Sequence, residues 1–217
     1  MSALVVGCGG SPQLRRSNGK AHALDPSALL KTHVPAEHAL SRHPSGPSFH
    51  PKLETFAAVE LASGARLQLR YRLRGDLADV ALAAHAPSRR VDRLWEHTCF
   101  EAFVAPEGRE QYVEINVAPS TDWAAYVFDR YRHGMRPLDL ARPPTIAVTR
   151  QPDELRVTAD VDLTALTDSP WPWRVGLCAV VAETGGARSY WALRHPGPTP
   201  DFHDAAGFAV LLKGNTR

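Results

Sequence analysis

The chain has 217 residues, 44% hydrophobic and 22% charged, with a formal net charge of +2 at pH 7. That length supports one sizeable core, and the composition is ordinary for a globular domain. The small net charge, with no Lys/Arg run interleaved with aromatics, argues against a nucleic-acid partner, and no apolar run reaches the ~20 residues that span a bilayer.

The chain opens on Met1–Gly10, where Val5-Val6-Gly7-Cys8 superficially fits a lipoprotein cleavage box. No basic residue precedes the box, and its apolar stretch is shorter than the ~7–15 residues of a signal core. The other cysteines, Cys99 and Cys178, sit inside strand-like patterns as small apolar fillers. Three cysteines without a CxxC pair make no disulfide framework. A cytoplasmic protein is expected.

Residues 1–50 are rich in Pro, Ser, Gly and His, and carry five of the ten histidines. One helical turn is expected at Asp25–Lys31, with Asp25 as N-cap and Pro26 in the first helical position. His33, His38, His43 and His50 lack metal-ligand spacing. This loop-rich segment is expected to add little to a β-core, leaving residues 51–217 as the folded domain.

From Thr55 onward the pattern turns to period two. Leu67, Leu69, Tyr71 and Leu73 alternate with Gln68, Arg70, Arg72 and Arg74, which predicts a half-exposed strand. Arg74-Gly75-Asp76 supplies a turn, and Leu77–Ala83 reads as the next strand. Further strands are predicted at Thr98–Val104, Gln111–Val117, Trp123–Asp129, Thr145–Arg150, Glu154–Val161, Arg174–Glu183, Ser189–Arg194 and Gly207–Leu212. Only Leu163–Leu166 resembles a helical turn. Many short strands with almost no helix predict an all-β fold, a jelly-roll β-sandwich.

Strand parity then locates a candidate site. On one strand Val113, Ile115 and Val117 share an apolar face, leaving Tyr112, Glu114 and Asn116 opposite. On its neighbour Phe100, Ala102 and Val104 share a face, with Cys99, Glu101 and Phe103 opposite. The short connection 105–110 allows an antiparallel hairpin. Glu101, Glu114 and Asn116 then fall on one non-core face, flanked by Trp95 and Trp191. Solvated surface carboxylates are the competing interpretation of that face.

Three blocks, LWEHTCFEAFV (94–104), YVEINVAPSTDWAAYVFDRYRHGM (112–135) and SYWALRHPGPTPDFHDAAGFAVLL (189–212), resemble the DOMON-like bacterial proteins, relatives of family 9 carbohydrate-binding modules. The resemblance covers roughly Thr55 to Leu212. It implies a jelly-roll sandwich that binds a sugar or a haem without catalysis of its own. In the sugar-binding modules a Trp precedes a Glu by six residues and a second Trp comes from a later strand. Trp95 and Glu101 match that spacing, and Trp191 stands as the second Trp.

The expected ligand is a small molecule, most readily a saccharide, with Trp95, His97, Glu101, Glu114, Asn116, Trp191, Arg194 and His195 as candidate binding residues. A stacking Trp and a carboxylate that accepts from vicinal hydroxyls suit a pyranose. No cofactor or metal is expected. Haem is the alternative, using some of Met135, His97, His195 and His203, and a carbohydrate-active enzyme built on paired Glu101 and Glu114 is a third reading. No GxSxG elbow or HExxH helix is present.

Overall fold

Period-two alternation builds the molecule. The computed structural model describes residues 36–46, 52–62, 65–166 and 171–214. Among them, twelve strands run in chain order: β1 (His38–Arg42), β2 (Glu54–Leu61), β3 (Arg66–Arg74), β4 (Cys99–Pro106), β5 (Tyr112–Val117), β6 (Trp123–Phe128), β7 (Arg136–Pro137), β8 (Thr145–Arg150), β9 (Glu154–Asp162), β10 (Trp173–Ala182), β11 (Arg188–Ala192) and β12 (Val210–Leu212). Among the described residues helix is confined to short 3-10 turns, one of them at Thr164–Leu166, where a helical turn is expected. No helix among the described residues is long and apolar enough to cross a membrane.

All named pairings are antiparallel, in the order β7-β6-β5-β4-β10-β11-β1-β2-β3-β9-β8, with β12 on β10. The ladder folds over at β1. His38, Ala39 and Leu40 pair with β2, whereas Ser41 and Arg42 pair with β11. Two layers result, β1-β2-β3-β9-β8 and β7-β6-β5-β4-β10-β11, and they form the expected β-sandwich.

Leu67, Leu69, Tyr71 and Leu73 of β3 point inward, and the intervening Gln68, Arg70 and Arg72 are half-exposed. They meet Phe100, Ala102 and Val104 of β4, and Val113, Ile115 and Val117 of β5, in one apolar cluster. Tyr71 stacks on Phe100 with ring centroids 5.0 Å apart. Its hydroxyl crosses the core to donate to the Glu101 carbonyl at 2.7 Å. Burying a phenol is cheap when its polar end finds such a partner.

Two expectations are corrected. The 1–50 segment does contribute to the sandwich, because β1 joins the layers and Leu40 enters the core. With one inward apolar residue in five, that strand is too short to show alternation. The predicted helical turn Asp25–Lys31, His33 and His50 lie outside the described residues. Leu77–Ala83 forms no strand. Asp76 accepts from the Ala78 amide at 3.0 Å and Val80 N–H bonds Leu77 O at 3.1 Å, so the chain turns. Leu77 and Val80 are buried as plugs of that turn, and one isolated bridge links Val80 to Glu183.

Ile115 is fully buried between Ala102 and Ala125 on neighbouring strands. Ile115→Asp places a carboxylate in this apolar interior, so a loss of about 4 kcal/mol or more is expected. Urea denaturation would read it, and a variant melting near the wild-type temperature would contradict the register.

Candidate functional site

The second face of the β6-β5-β4-β10 layer is also buried. Residues 194–208 lie across it, and Phe208 stacks on Phe103 with centroids 5.8 Å apart. Gly176 on β10 makes the room, since a Cβ there would meet the Phe208 ring at 2.7 Å. The 3-10 turn Leu94–Glu96 closes another side and sets Trp95 edge-on to Tyr126, 5.8 Å between centroids. Between these covers a cavity of about 370 Å³ stays open.

Glu101 and Glu114 form its floor, 3% and 4% exposed. The ladder explains why they share it: Glu101 pairs with Asn116, Phe103 with Glu114 and Cys178 with Glu101. Trp95, Phe128, Tyr190 and Phe202 supply aromatic walls, Val180, Met135 and Pro200 apolar surface, and Arg132, Arg188 and His203 nitrogen groups. A pocket of this size with a few convergent polar groups on apolar walls is the usual form of a small-molecule site.

A hydrogen-bond chain runs from the rim to His203, beside the floor. Arg132 reaches Asp201 through Nη2 at 2.7 Å and Nε at 3.2 Å. The Arg132 amide donates to the Tyr112 hydroxyl at 3.1 Å, and that hydroxyl is hydrogen-bonded to His203 Nδ1 at 2.7 Å. With Tyr112 as the donor of that bond, the ring hydrogen of neutral His203 sits on Nε2, which faces Glu114 Oε2 at 3.8 Å. Glu114 Oε1 accepts from Asn116 Nδ2 at 2.6 Å. Glu101 Oε1, by contrast, is buried without a hydrogen-bond partner.

Burial raises both carboxyls above the ordinary range, because charge is poorly solvated there. Glu114 rises to about 7 against the lowering pull of the Asn116 amide and Arg132. Glu101 rises well above its usual value, first through burial and then through Glu114. Burial, reinforced by Arg132, lowers His203 to about 4 against the opposing Asp201. Burial likewise raises the thiols of Cys99 and Cys178, which are free and lie on the floor side.

The structure brings Trp95, Glu101 and Glu114 to one cavity, with Asn116 fully buried beside Glu114 as its support. It does not bring the other four there. Trp191 is 7% exposed in the inter-layer core, its Nε1 bonded to Ser189 Oγ at 2.8 Å. On β11 the cavity side belongs to its neighbours Arg188 and Tyr190, so parity turns Trp191 inward. His97 and Arg194 are exposed and do not line the cavity. His195 bonds the Ser41 carbonyl at 2.8 Å and packs edge-on to His43, serving the β1 junction.

Sequence reasoning missed Phe128, Arg132, Arg188, Tyr190 and Phe202 as lining residues. Phe128 was within reach of parity, because its register partner is Tyr112. Phe202 and His203 lie in a stretch with no period. Among the described residues no group of three His, Cys, Asp or Glu side chains is placed to hold a metal ion.

No known family profile matches the chain, and neither does any curated protein sequence. A candidate carbohydrate-binding protein from Bacteroides uniformis ATCC 8492 overlays with a TM-score of 0.60 at 15% identity, covering 82% of this chain and 86% of that one. A family 9 carbohydrate-binding module from Caldicellulosiruptor kristjanssonii gives 0.47 at 13% identity in its glucose complex, covering 82% of this chain and 85% of that one. A family 9 module from the same organism in complex with cellotriose gives 0.45 at 12% identity, covering 73% of this chain and 72% of that one. The first overlay establishes a shared β-sandwich fold.

Two outcomes follow. Trp191→Ala should cost about 3–5 kcal/mol as a core truncation, measured by chemical denaturation, and an unchanged midpoint would return Trp191 to the surface. The second outcome concerns pH. Glu114 keeps its proton to about pH 7 when folded but to 4.5 ordinarily, so its stabilising contribution is full below 4.5 and is lost as pH rises through 7. Glu101 acts in the same direction. His203, lowered from 6.5 to about 4, contributes above 6.5 and loses that contribution as pH falls through 4. The opposing effects overlap below 6.5, and above it the carboxyls act without His203. Stability should therefore fall from pH 6.5 toward 8, with the decline flattened in Glu114→Gln. Equal slopes for both proteins would remove Glu114 as the source.

Proposed function

We propose that this chain is a non-catalytic module that binds a small saccharide in the 370 Å³ cavity. The observation that carries the reading is the floor of Glu101 and Glu114 enclosed by aromatic walls, Trp95 among them. An indole stacks on the apolar face of a pyranose, while carboxylates accept from vicinal hydroxyls with defined geometry. Asn116 acts one step away, orienting Glu114 through its 2.6 Å hydrogen bond. The fold shared with the candidate carbohydrate-binding protein of Bacteroides uniformis supports the same reading.

The carboxylates favour binding over hydrolysis. Both rise from adjacent strands of one sheet face, so a sugar seated on them meets them from the same side. Hydrolysis needs the two groups to flank the scissile bond. The haem alternative has Met135 and His203 at the cavity but fits it poorly. His203 Nδ1 is engaged by Tyr112 and Nε2 faces Glu114, while a porphyrin would lay its apolar ring over two buried carboxyls.

Trp95→Ala and Glu101→Gln should melt like the wild type yet bind a glycan at least ~10-fold more weakly, equivalent to about 1.4 kcal/mol. A glycan array followed by titration calorimetry measures this, and reducing-end release should be absent. Wild-type affinity in both variants would move the site elsewhere. Collapse of Trp95→Ala would make Trp95 a structural plug.

A further inference from the structure

The floor of the cavity holds two carboxyl groups and no cation bonded to either. Glu101 lines the cavity, and its Oε1 is buried without a hydrogen-bond partner. Glu114 spends Oε1 on the Asn116 amide, and Oε2 faces His203 Nε2 at 3.8 Å, beyond hydrogen-bond reach. Arg132, which also lines the cavity, is held by Asp201 at 2.7 Å. Arg188 sits at the exposed mouth. We infer that the ligand is an amino sugar with a free ammonium group, whose nitrogen seats between Glu101 and Glu114. This rests on the saccharide reading and narrows it.

The donor count favours nitrogen over oxygen. An ammonium group offers three donors, enough to reach both carboxyls at once, whereas each hydroxyl offers one. Charge-assisted bonds are roughly twice as strong as neutral ones, and the buried floor screens them little. Aromatic walls tolerate the same charge through their π faces.

Proton balance gives the proposal a distinct signature. The groups facing Glu101 are Glu114 from β5, Cys99 on its own strand, Cys178 from β10 and Tyr71 from β3. Those facing Glu114 are Glu101, His203 and Arg132, with Tyr112 and Asp201 behind them and Arg188 at the mouth. His203 is neutral at pH 7, Arg132 is committed to Asp201, and burial holds both thiols and Tyr71 protonated. The carboxyl pair therefore retains a proton near neutrality. An ammonium displaces that proton to solvent: protonated pair plus ammonium sugar gives ion-paired complex plus one hydron. A neutral sugar releases none.

The experiment is calorimetric titration of the full chain with glucosamine, glucose and N-acetylglucosamine near pH 7, in two buffers of different ionisation enthalpy. Glucosamine should bind at least ~10-fold more tightly than either neutral sugar, with proton release that varies with buffer and affinity that rises with pH. Glu101→Gln should abolish that preference while melting like wild type, and Glu114→Gln provides the same comparison if the first variant fails to fold. Glucose binding as tightly as glucosamine, or a glycan array answering only to neutral sugars, overturns the inference and leaves the saccharide reading standing. No response to these sugars or to the array ends both.

Discussion

The pairing of β4 with β5 is the constraint on which the rest depends. Glu101 stands opposite Asn116 and Phe103 opposite Glu114, so one side of the ladder carries Phe100, Ala102, Ile115 and Val117 and the other carries both carboxyls. A slip of one residue would exchange the two sets. Phe100 and Ile115 would then face the cavity, and two unpaired carboxylates would enter the inter-layer core. The same register thus sets core and floor together, and neither can drift without the other. Tyr71 reinforces it from the opposite layer by bonding the Glu101 carbonyl itself.

Closing the second face creates the site and imposes a cost. A sheet face left in water would hydrate Glu101 and Glu114 and leave them ordinary. Here Phe103, Tyr112, Phe128, His203 and Phe208 pack into a cover, with Tyr112 and Phe128 stacked at 4.8 Å. Their burial removes water from the carboxyls, which respond by holding protons rather than by carrying unsolvated charge. Neutral His203 completes this logic, since a protonated ring would pair with Glu114 and remove a binding group from the floor. The apolar gain of the cover and the strain of the floor are two consequences of one packing event.

How much was legible in the sequence follows from how local each signal is. The β4–β5 hairpin and the shared face of Glu101, Glu114 and Asn116 came from alternation and a short connection, and Trp95 came from its spacing ahead of Glu101 in the family resemblance. Trp191 did not, because both faces of its layer are buried and parity between two apolar environments carries no label. Its orientation becomes visible only when Tyr190 and Arg188 are seen on the cavity side. The junction at β1 escaped because its five residues carry one inward apolar side chain. Residues 194–208 escaped because a loop has no period, and their position depends on where Phe208 finds the gap over Gly176. Arg132 reaches the site from the β6–β7 turn by a backbone at φ 52, a conformation no composition pattern encodes.

Most polar groups around the floor are committed within the protein: the Tyr112 hydroxyl bonds the Arg132 amide and His203, and Asn116 spends its amide on Glu114. Glu101 Oε1 has no hydrogen-bond partner, and Glu114 Oε2 has only His203 Nε2 at 3.8 Å. A site whose groups are all satisfied discriminates weakly, because a ligand lacking a donor leaves nothing unpaired. A site with a buried acceptor left open discriminates strongly, since a ligand without a donor leaves that acceptor unpaired. Selectivity in this cavity then resides less in the contacts already made than in the one the fold leaves to the ligand.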